Sequence, residues 1–483
     1  MSNDINIFSG PADVKLFDAV DGELDLGHID DVNVNSEDYA VETGEGQRVR
    51  LSDIFTFISN LLQTDDTLID AIKARRQRKQ IIDIQGLDNG MRIDGVYPCV
   101  IKNRPFKGGE AHKITIEAKT AIEKEVGHFH IIRDKDNRPN YMFYLPRFNW
   151  DPVNRFASTE VFPAFIVDGE NINGVHISQY PNILINPADN SVLGDTNPSS
   201  SSEPYVAGSA HSYIAQSLPF YDPRVKIDWD AANKACVNMN KSGESGFHML
   251  SNPEWAALAW YCHDNNIQPF GNNSYGRETS NPAIVGKMAN GNNLGGPSPS
   301  RILGGSAGRM TSHNREVNGI FDLNGNIWEW VSGLKLIEGK IYVHGDLNTA
   351  PIAVGNSFNA LEADWFDTGY YVNYNAGTGV TSLSAVNRGD NMSPTPDYTS
   401  LQFNNLGGGN ASLMKLIVGL ITAPGDGSYG SDITYWRNHG MRFPFRGGNW
   451  DYAADAGVFA LSVADGRASR GWNIGFRSAF VHL

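Results

Sequence analysis

At roughly 100–200 residues per domain, a chain of 483 residues makes about two to four domains. Apolar residues make up 41%, charged residues only 19%, and aromatics 11%, which excludes a disordered chain; 50 glycines among many Asn and Ser mark turns and long ordered loops. The formal charge of −15 is concentrated at the start, where Met1–Asp70 carries 16 Asp and Glu against Lys15, Arg48 and Arg50. A duplex-binding protein needs a basic footprint for phosphates, and the one basic cluster, Lys73 to Lys79, abuts the acids and reads as their partner. Nucleic acid is therefore not expected as a ligand. Cys99, Cys236 and Cys262 are too few for a disulfide framework and form no C-x-x-C. The N-terminus has neither a basic nor an apolar signal region, so no classical signal peptide is expected. The longest aliphatic run, Leu416–Ile421, is far short of a membrane span, so no membrane insertion is expected either.

Along the chain, residues 1–50 read as short strands or extended segments. From Ser52 to about Lys79 the apolar positions recur at helical spacing: Ile54, Phe57, Ile58, Leu61 and Leu62, then Leu68, Ile69 and Ile72. Ser52 or Asp53 can cap this helical segment, and its stripe packs on its own domain or on another copy. Residues 1–80 thus form an acidic region with a helical segment, suited to attachment or oligomerisation. Alternation in Lys113–Glu117 and His128–Ile132 makes 81–144 a small β unit. From 145 to 483 the texture is aromatic and rich in Gly, Asn and Pro, with two clear helices. One carries Trp229, Ala232, Cys236 and Met239 on one face behind Asp228 as cap. The other opens Asn252-Pro253-Glu254, with the proline at the first helical position, and aligns Trp255, Leu258, Ala259 and Cys262. Both faces read as core, and both cysteines as inert buried thiols.

Familiar catalytic patterns fail on context. Gly304-Gly-Ser-Ala-Gly308 matches a nucleophile elbow, but no helical pattern follows it, so it reads as a glycine-rich loop. His128 and His130 have the spacing of metal ligands on one strand face but lack a third partner for zinc. Four other blocks stand out: Asp228–Cys236 with Gly246–Ala259; Gly271–Gly276; Gly319–Trp330, which contains Trp328-Glu329-Trp330; and Arg446-Gly-Gly-Asn-Trp450, completed by Gly475-Phe-Arg477. In this order they resemble the formylglycine-generating-enzyme branch of the C-type lectin-like fold, over roughly residues 145–483. The resemblance implies an α+β, loop-rich lectin-like domain, with 333–442 as an insertion that buttresses its face.

The enzymes of that branch bind copper through two cysteines just after the block that here reads Arg446–Trp450. This chain has no cysteine beyond that point, so a formylglycine-type oxidase is the rival reading and no catalytic residue is assigned. No cofactor is expected, with calcium left open: the family binds it around the turn where Asp322 and Glu329 could supply carboxylates, and Gly325 and Ile327 carbonyls.

Residues 446–479 resemble, more narrowly, the variable region of diversity-generating-retroelement proteins. There a reverse transcriptase copies a template with errors at adenines and rewrites the 3′ end of the gene. The resemblance implies a hypervariable binding protein, a viral receptor-binding or tail-tip component or else a cellular adhesin. It would recognise a cell-surface protein or glycan, located on the virion or cell surface after cytoplasmic synthesis. Between the frame residues Trp450, Phe459, Leu461, Ile474 and Phe476 lie Asp451, Tyr452, Asp455, Ser462, Ala464, Asp465, Ser469, Arg470 and Gly471, which follow no periodic pattern. Each is a residue type reachable by replacing the adenines of an asparagine codon. Trp472 is not, and is expected to be a ligand-facing aromatic. Mixed Tyr, Ser, Gly, Asp and Arg is also the chemistry of adaptable binding surfaces.

Overall fold

The computed structural model describes residues 5–18, 22–42, 48–61, 82–87, 96–103, 112–121, 129–150, 159–167, 170–193, 205–289, 300–344, 365–385, 387–405 and 431–482, those before 130 by their backbone alone. Contacts divide the chain into Met1–Ile131 and Ile132–Leu483.

In the first unit six strands, β1 (Ile5–Asp18), β2 (Gly22–Glu42), β3 (Arg48–Leu61), β4 (Ile82–Leu87), β5 (Val96–Asn103) and β6 (His112–Ala121), close into a barrel in the order β1-β2-β3-β6-β5-β4. Every neighbouring pair is antiparallel, and β4 returns to β1 from Asp13–Leu87 to Phe17–Asp83. Closure leaves no free sheet edge. This corrects two expectations. Ile54, Phe57, Ile58 and Leu61 belong to a strand and not to a helix. Phe55-Thr56-Phe57-Ile58 is β-branched and aromatic and suits a strand as well as a helix face, and pairing with β2 and β6 decides between them. The rest of that expected helix, with the basic cluster, lies outside the described residues. The small β unit is also not separate, since β4–β6 complete the barrel that β1–β3 begin.

The second unit starts earlier than expected, at Ile132, the point where β7 (Phe129–Arg133) is divided, and it includes β8 (Pro139–Pro146). After a short hairpin of β9 (Ile166–Val167) and β10 (Glu170–Asn171) come β11 (Gly174–Ser178), the pair β12 (Ile183–Ile185) and β13 (Ile214–Gln216), and helix α1 (Trp229–Val237). Next are β14 (Phe247–Met249), α2 (Asn252–Asp264), β15 (Trp328–Trp330), β16 (Leu334–Ile337), β17 (Lys340–His344), β18 (Trp365–Asn375) and β19 (Val380–Ser384). The chain ends in β20 (Thr399–Gln402), β21 (Ile433–Trp436), β22 (Met441–Gly447), β23 (Gly457–Asp465), β24 (Ile474–Phe476) and β25 (Ser478–Phe480). One sheet runs β14-β25-β11-β8-β7. The larger runs β19-β18-β17-β16-β22-β23-β21-β20, with β15 joining β22 to β24. The fold is thus β-rich and loop-rich, with two α-helices among the described residues. The segment 333–442, expected as an insertion that buttresses the ligand face, supplies both flanks of the larger sheet, β16–β19 on one side and β20–β21 on the other, and is integral to it.

Both helices form where expected. Asp228 caps α1 by accepting from Ala231 N. On α2 the cap is Ser251, one residue before the expected Asn252; Ser251 and Glu254 form a reciprocal capping box, which frees Asn252 to accept from the buried Arg446 Nε at 2.9 Å. Cys236 and Cys262 are fully buried free thiols. Eight of the ten tryptophans are fully buried, and several pin one element to another through the indole N–H. Trp229 donates to Val331 O, Trp255 to Val458 O and Trp330 to Ile227 O, at 2.7–3.0 Å. In a fold with so many loops these donors fix segments that no ladder holds.

Candidate functional site

The C-terminal segment is built on a buried polar hub. Arg477, with no exposed surface, donates from Nε and Nη2 to the two Glu329 carboxylate oxygens at 2.8 Å each. It also donates to the Ser178, Gln179 and Phe321 carbonyls at 2.8–2.9 Å. It thereby joins the third and fourth sequence blocks and ties β11, β15 and the β24–β25 turn to one side chain. A second constraint is backbone: Gly447 and Gly448 both have φ near +90°, and a Cβ on Gly448 would lie 2.6 Å from that of Ala456. Only glycine suits a left-handed residue in so close an approach, which is why Arg446 is followed by two glycines.

On this base the variable candidates fall into two loops. The first, between β22 and β23, carries Asp451, Tyr452 and Asp455; Asp451 is exposed and the other two are half-buried. The Tyr452 ring stands edge-on to Trp328 at 5.3 Å and near Tyr435 at 6.1 Å. Burial raises the carboxyl pKa of both Asp451 and Asp455. The second loop, between β23 and β24, carries Ser469, Arg470, Gly471 and Trp472 and starts from Asp465 at the end of β23; all five are exposed or half-exposed. Ser469 Oγ donates to Asp465 Oδ1 at 3.1 Å, and Arg470 lies over the exposed Tyr205 ring at 5.3 Å. The loops converge: Trp472 of the second packs on Trp450 at the foot of the first, with centroids 5.0 Å apart. Trp472 is 37% exposed, whereas Trp450 is fully buried.

Ser462 and Ala464 depart from the expectation. They are 3% and 6% exposed, because β23 is covered on both faces. Phe459, Leu461 and Val463 enter one core cluster, while Ala460 enters the other, on the side that Ser462 and Ala464 share. Ser462 sits between Tyr435 on β21 and Phe445 on β22, so neither residue faces a ligand. The frame residues Trp450, Phe459, Leu461, Ile474 and Phe476 are all buried.

Two residues of the face escaped the sequence reading. Tyr398, 48% exposed, and Tyr435 come from the presumed insertion. They extend the aromatic row from Tyr452, with Tyr398 and Tyr435 centroids 5.9 Å apart. Sequence offers no signal for them, since only the parallel pairing of β21 with β23 brings them alongside.

The other candidate chemistry is committed elsewhere. Both Glu329 oxygens are taken by Arg477, and the Gly325 carbonyl accepts from Ile327 N at 2.9 Å, which leaves Asp322 as the one carboxylate of the calcium expectation. That residue is 1% exposed with φ +62°; its Oδ2 accepts from Gly305 N at 2.8 Å and its Oδ1 has no partner. Burial pushes its carboxyl up to about 6, against the pull of the Gly305 N–H and the Arg477 charge. Among the described residues no three His, Cys, Asp or Glu side chains cluster as a metal site. His128 lies outside the described residues. Ser306, in the glycine-rich loop, is fully buried and accepts from Lys287 N at 2.9 Å, the geometry of a structural turn.

No protein-family model matches this chain, and no curated protein does. Among solved structures it is similar to Treponema denticola variable protein 1, at 12% identity and a TM-score of 0.28, covering 74% of this chain and 99% of that one. A likeness at that TM-score carries no argument here.

Proposed function

We propose that this chain is a non-catalytic display protein. In this reading its C-terminal domain is of the C-type lectin-like, formylglycine-generating-enzyme type, and its ligand face is diversified by a retroelement. The observation that carries it is a division of labour within one segment. Residues 446–479 alternate between frame side chains locked into the core and two loops whose side chains stand outside it. Changes at exposed positions typically alter stability by no more than about 0.5 kcal/mol. Such a face can therefore be rewritten while the base beneath it stays fixed. The four sequence blocks support the lectin-like assignment, and two of them meet at Arg477 and Glu329. The setting that best fits is a viral receptor-binding or tail-tip protein, attached through its N-terminal part to a virion or to further copies of itself. Several weak sites would then engage a host surface together.

The test is deep sequencing of the gene's 3′ end and its flanking DNA across the source population. The reading expects substitutions confined to the codons of loop residues such as Asp451, Tyr452, Ser469 and Arg470. They should match adenines in a nearby repeat beside a reverse-transcriptase gene. An invariant 3′ end without such a repeat would refute diversification.

A further inference from the structure

The second loop is laced to two other segments by main-chain bonds. Val206 N donates to Lys226 O at 3.0 Å, Lys226 N donates to Gly471 O at 3.0 Å, and Val206 pairs with Ile227 in a parallel bridge. This lacing gathers Tyr205, Lys226 and Arg470 at one place. Tyr205 is 62% exposed, and two cations converge on its ring: Lys226 Nζ lies 5.4 Å and the Arg470 guanidinium 5.3 Å from the ring centroid. Lys226 is 3% exposed, so the fold itself delivers that charge, whereas Arg470 stands at the surface.

The ring attracts Arg470 through its quadrupole but carries no net charge to neutralise it. The carboxylates of the neighbourhood are held by other groups. Asp230 pairs with Arg467, and Asp222 with Arg301 at 2.7 Å. Asp228 accepts from Ala231 N at 2.9 Å and Gly208 N at 3.0 Å, and Asp465 accepts from the Ser469 hydroxyl at 3.1 Å. Among the described residues Arg470 has no ion-pair partner, and its contact is the Tyr205 ring. An exposed guanidinium with its N–H donors unspent, next to a second cation, calls for a carboxylate or sulfate, which a guanidinium grips through paired donors.

A second observation is independent of charge. Trp472, two residues beyond Arg470, is 37% exposed, and its ring rests on the buried Trp450 at 5.0 Å. Its carbonyl accepts from Arg301 Nη1 at 3.2 Å, and Arg301 is itself clamped by both Asp222 oxygens at 2.7 and 2.8 Å. An indole held this firmly offers a flat apolar face that loses little freedom on binding. Exposed aromatic faces pack against the C–H face of a sugar ring, because the negative face of the ring meets the positive C–H edge. An aspartate or glutamate side chain would bring an acid but no such face.

Building on the recognition role proposed above, we infer that the second loop binds a glycan carrying a carboxylate or sulfate. Arg470 takes the acid, the Lys226 charge adds to the attraction, and Tyr205 and Trp472 cover the sugar rings.

The test uses the full chain and biolayer interferometry on surfaces bearing sialyllactose, sulfated lactose, lactose or a peptide of alternating glycine and glutamate. At least one of the two acidic sugars is expected to bind at least about tenfold tighter than lactose. Arg470→Gln should weaken that binding at least about fivefold, Tyr205→Ala and Trp472→Ala each about two- to fivefold, and Arg470→Lys, which keeps the charge but not the paired donors, less than Arg470→Gln. Arg470 and Tyr205 are exposed, so their variants should keep the urea stability of the parent. A control at an exposed cation elsewhere on the same unit, Lys241→Gln, must change binding less than about twofold. Lactose bound as tightly as the acidic sugars, or an equal loss in the control, would overturn the inference. So would no binding of either acidic sugar, or a glutamate peptide bound as tightly, which would make the loop a receptor for acidic protein. Failure of diversification would show only in the gene sequences, which keeps the two outcomes apart.

Discussion

Replacing Arg477 with methionine removes the guanidinium while keeping most of the stem's length. The consequence follows from what the hub holds. Glu329 is fully buried and both of its oxygens rest on Arg477. Breaking a buried pair from one side typically costs about 3–5 kcal/mol, because the remaining charge is left uncompensated. The three carbonyls lose a donor each, but less than the full desolvation cost applies; the Gln179 carbonyl, for one, still accepts from Phe321 N at 2.8 Å. The expected loss is about 4–6 kcal/mol, a large share of the roughly 5–15 kcal/mol by which a domain is stable.

The loss should also depend on pH. Burial raises the Glu329 carboxyl, while the Arg477 charge and hydrogen bonds lower it. Without Arg477 only the raising influence remains, and the folded-state pKa climbs further above its unfolded value. A raised carboxyl contributes stability below the unfolded pKa and loses it as pH rises through the folded one. The variant's deficit should therefore be smallest in acid and grow toward neutrality. In Glu329→Gln/Arg477→Met the stranded charge is gone, so the double variant should lose less than the two single variants summed, by about 2 kcal/mol or more. Urea unfolding at several pH values, followed by the fluorescence of the buried tryptophans, reads all of this. A single variant within about 1 kcal/mol of the parent at pH 7, or strictly additive losses, would refute the account of the hub.

Two further expectations follow from burial and titration. Asp451→Arg on the loop should leave urea stability within about 0.5 kcal/mol, whereas Ser462→Arg on β23 should cost several kcal/mol by forcing a charge between two core clusters; equal tolerance at both would mean Ser462 does face solvent. Asp322, raised to about 6 from an ordinary 3.8, contributes stability below pH 4 that is lost as pH rises through 6. Asp322→Asn keeps an acceptor for Gly305 N and suits the positive φ, so thermal unfolding should show a flatter pH dependence between 4 and 7 in this variant, and an unchanged slope would show that other groups carry it.

Local chemistry by itself determined the parts that are settled within one turn or one motif. Asp228 and the Asn252-Pro253 opening announced helix starts to within one residue because caps act over three residues, and the apolar spacing of Trp255, Leu258 and Cys262 needed no partner to be read. The double glycine after Arg446 was legible for the same reason. What the tertiary structure decided is partnership. Ile54 to Leu61 fits a helix face or a strand, and only β2 and β6 choose between them. Ser462 and Ala464 looked variable because alternation cannot reveal whether a strand is covered on one face or two; β23 is covered on both. Tyr398 and Tyr435 joined the face, and Glu329 was claimed by Arg477, through pairings between residues far apart in the chain. A one-dimensional pattern records the period of a segment but carries no account of what will lie against it.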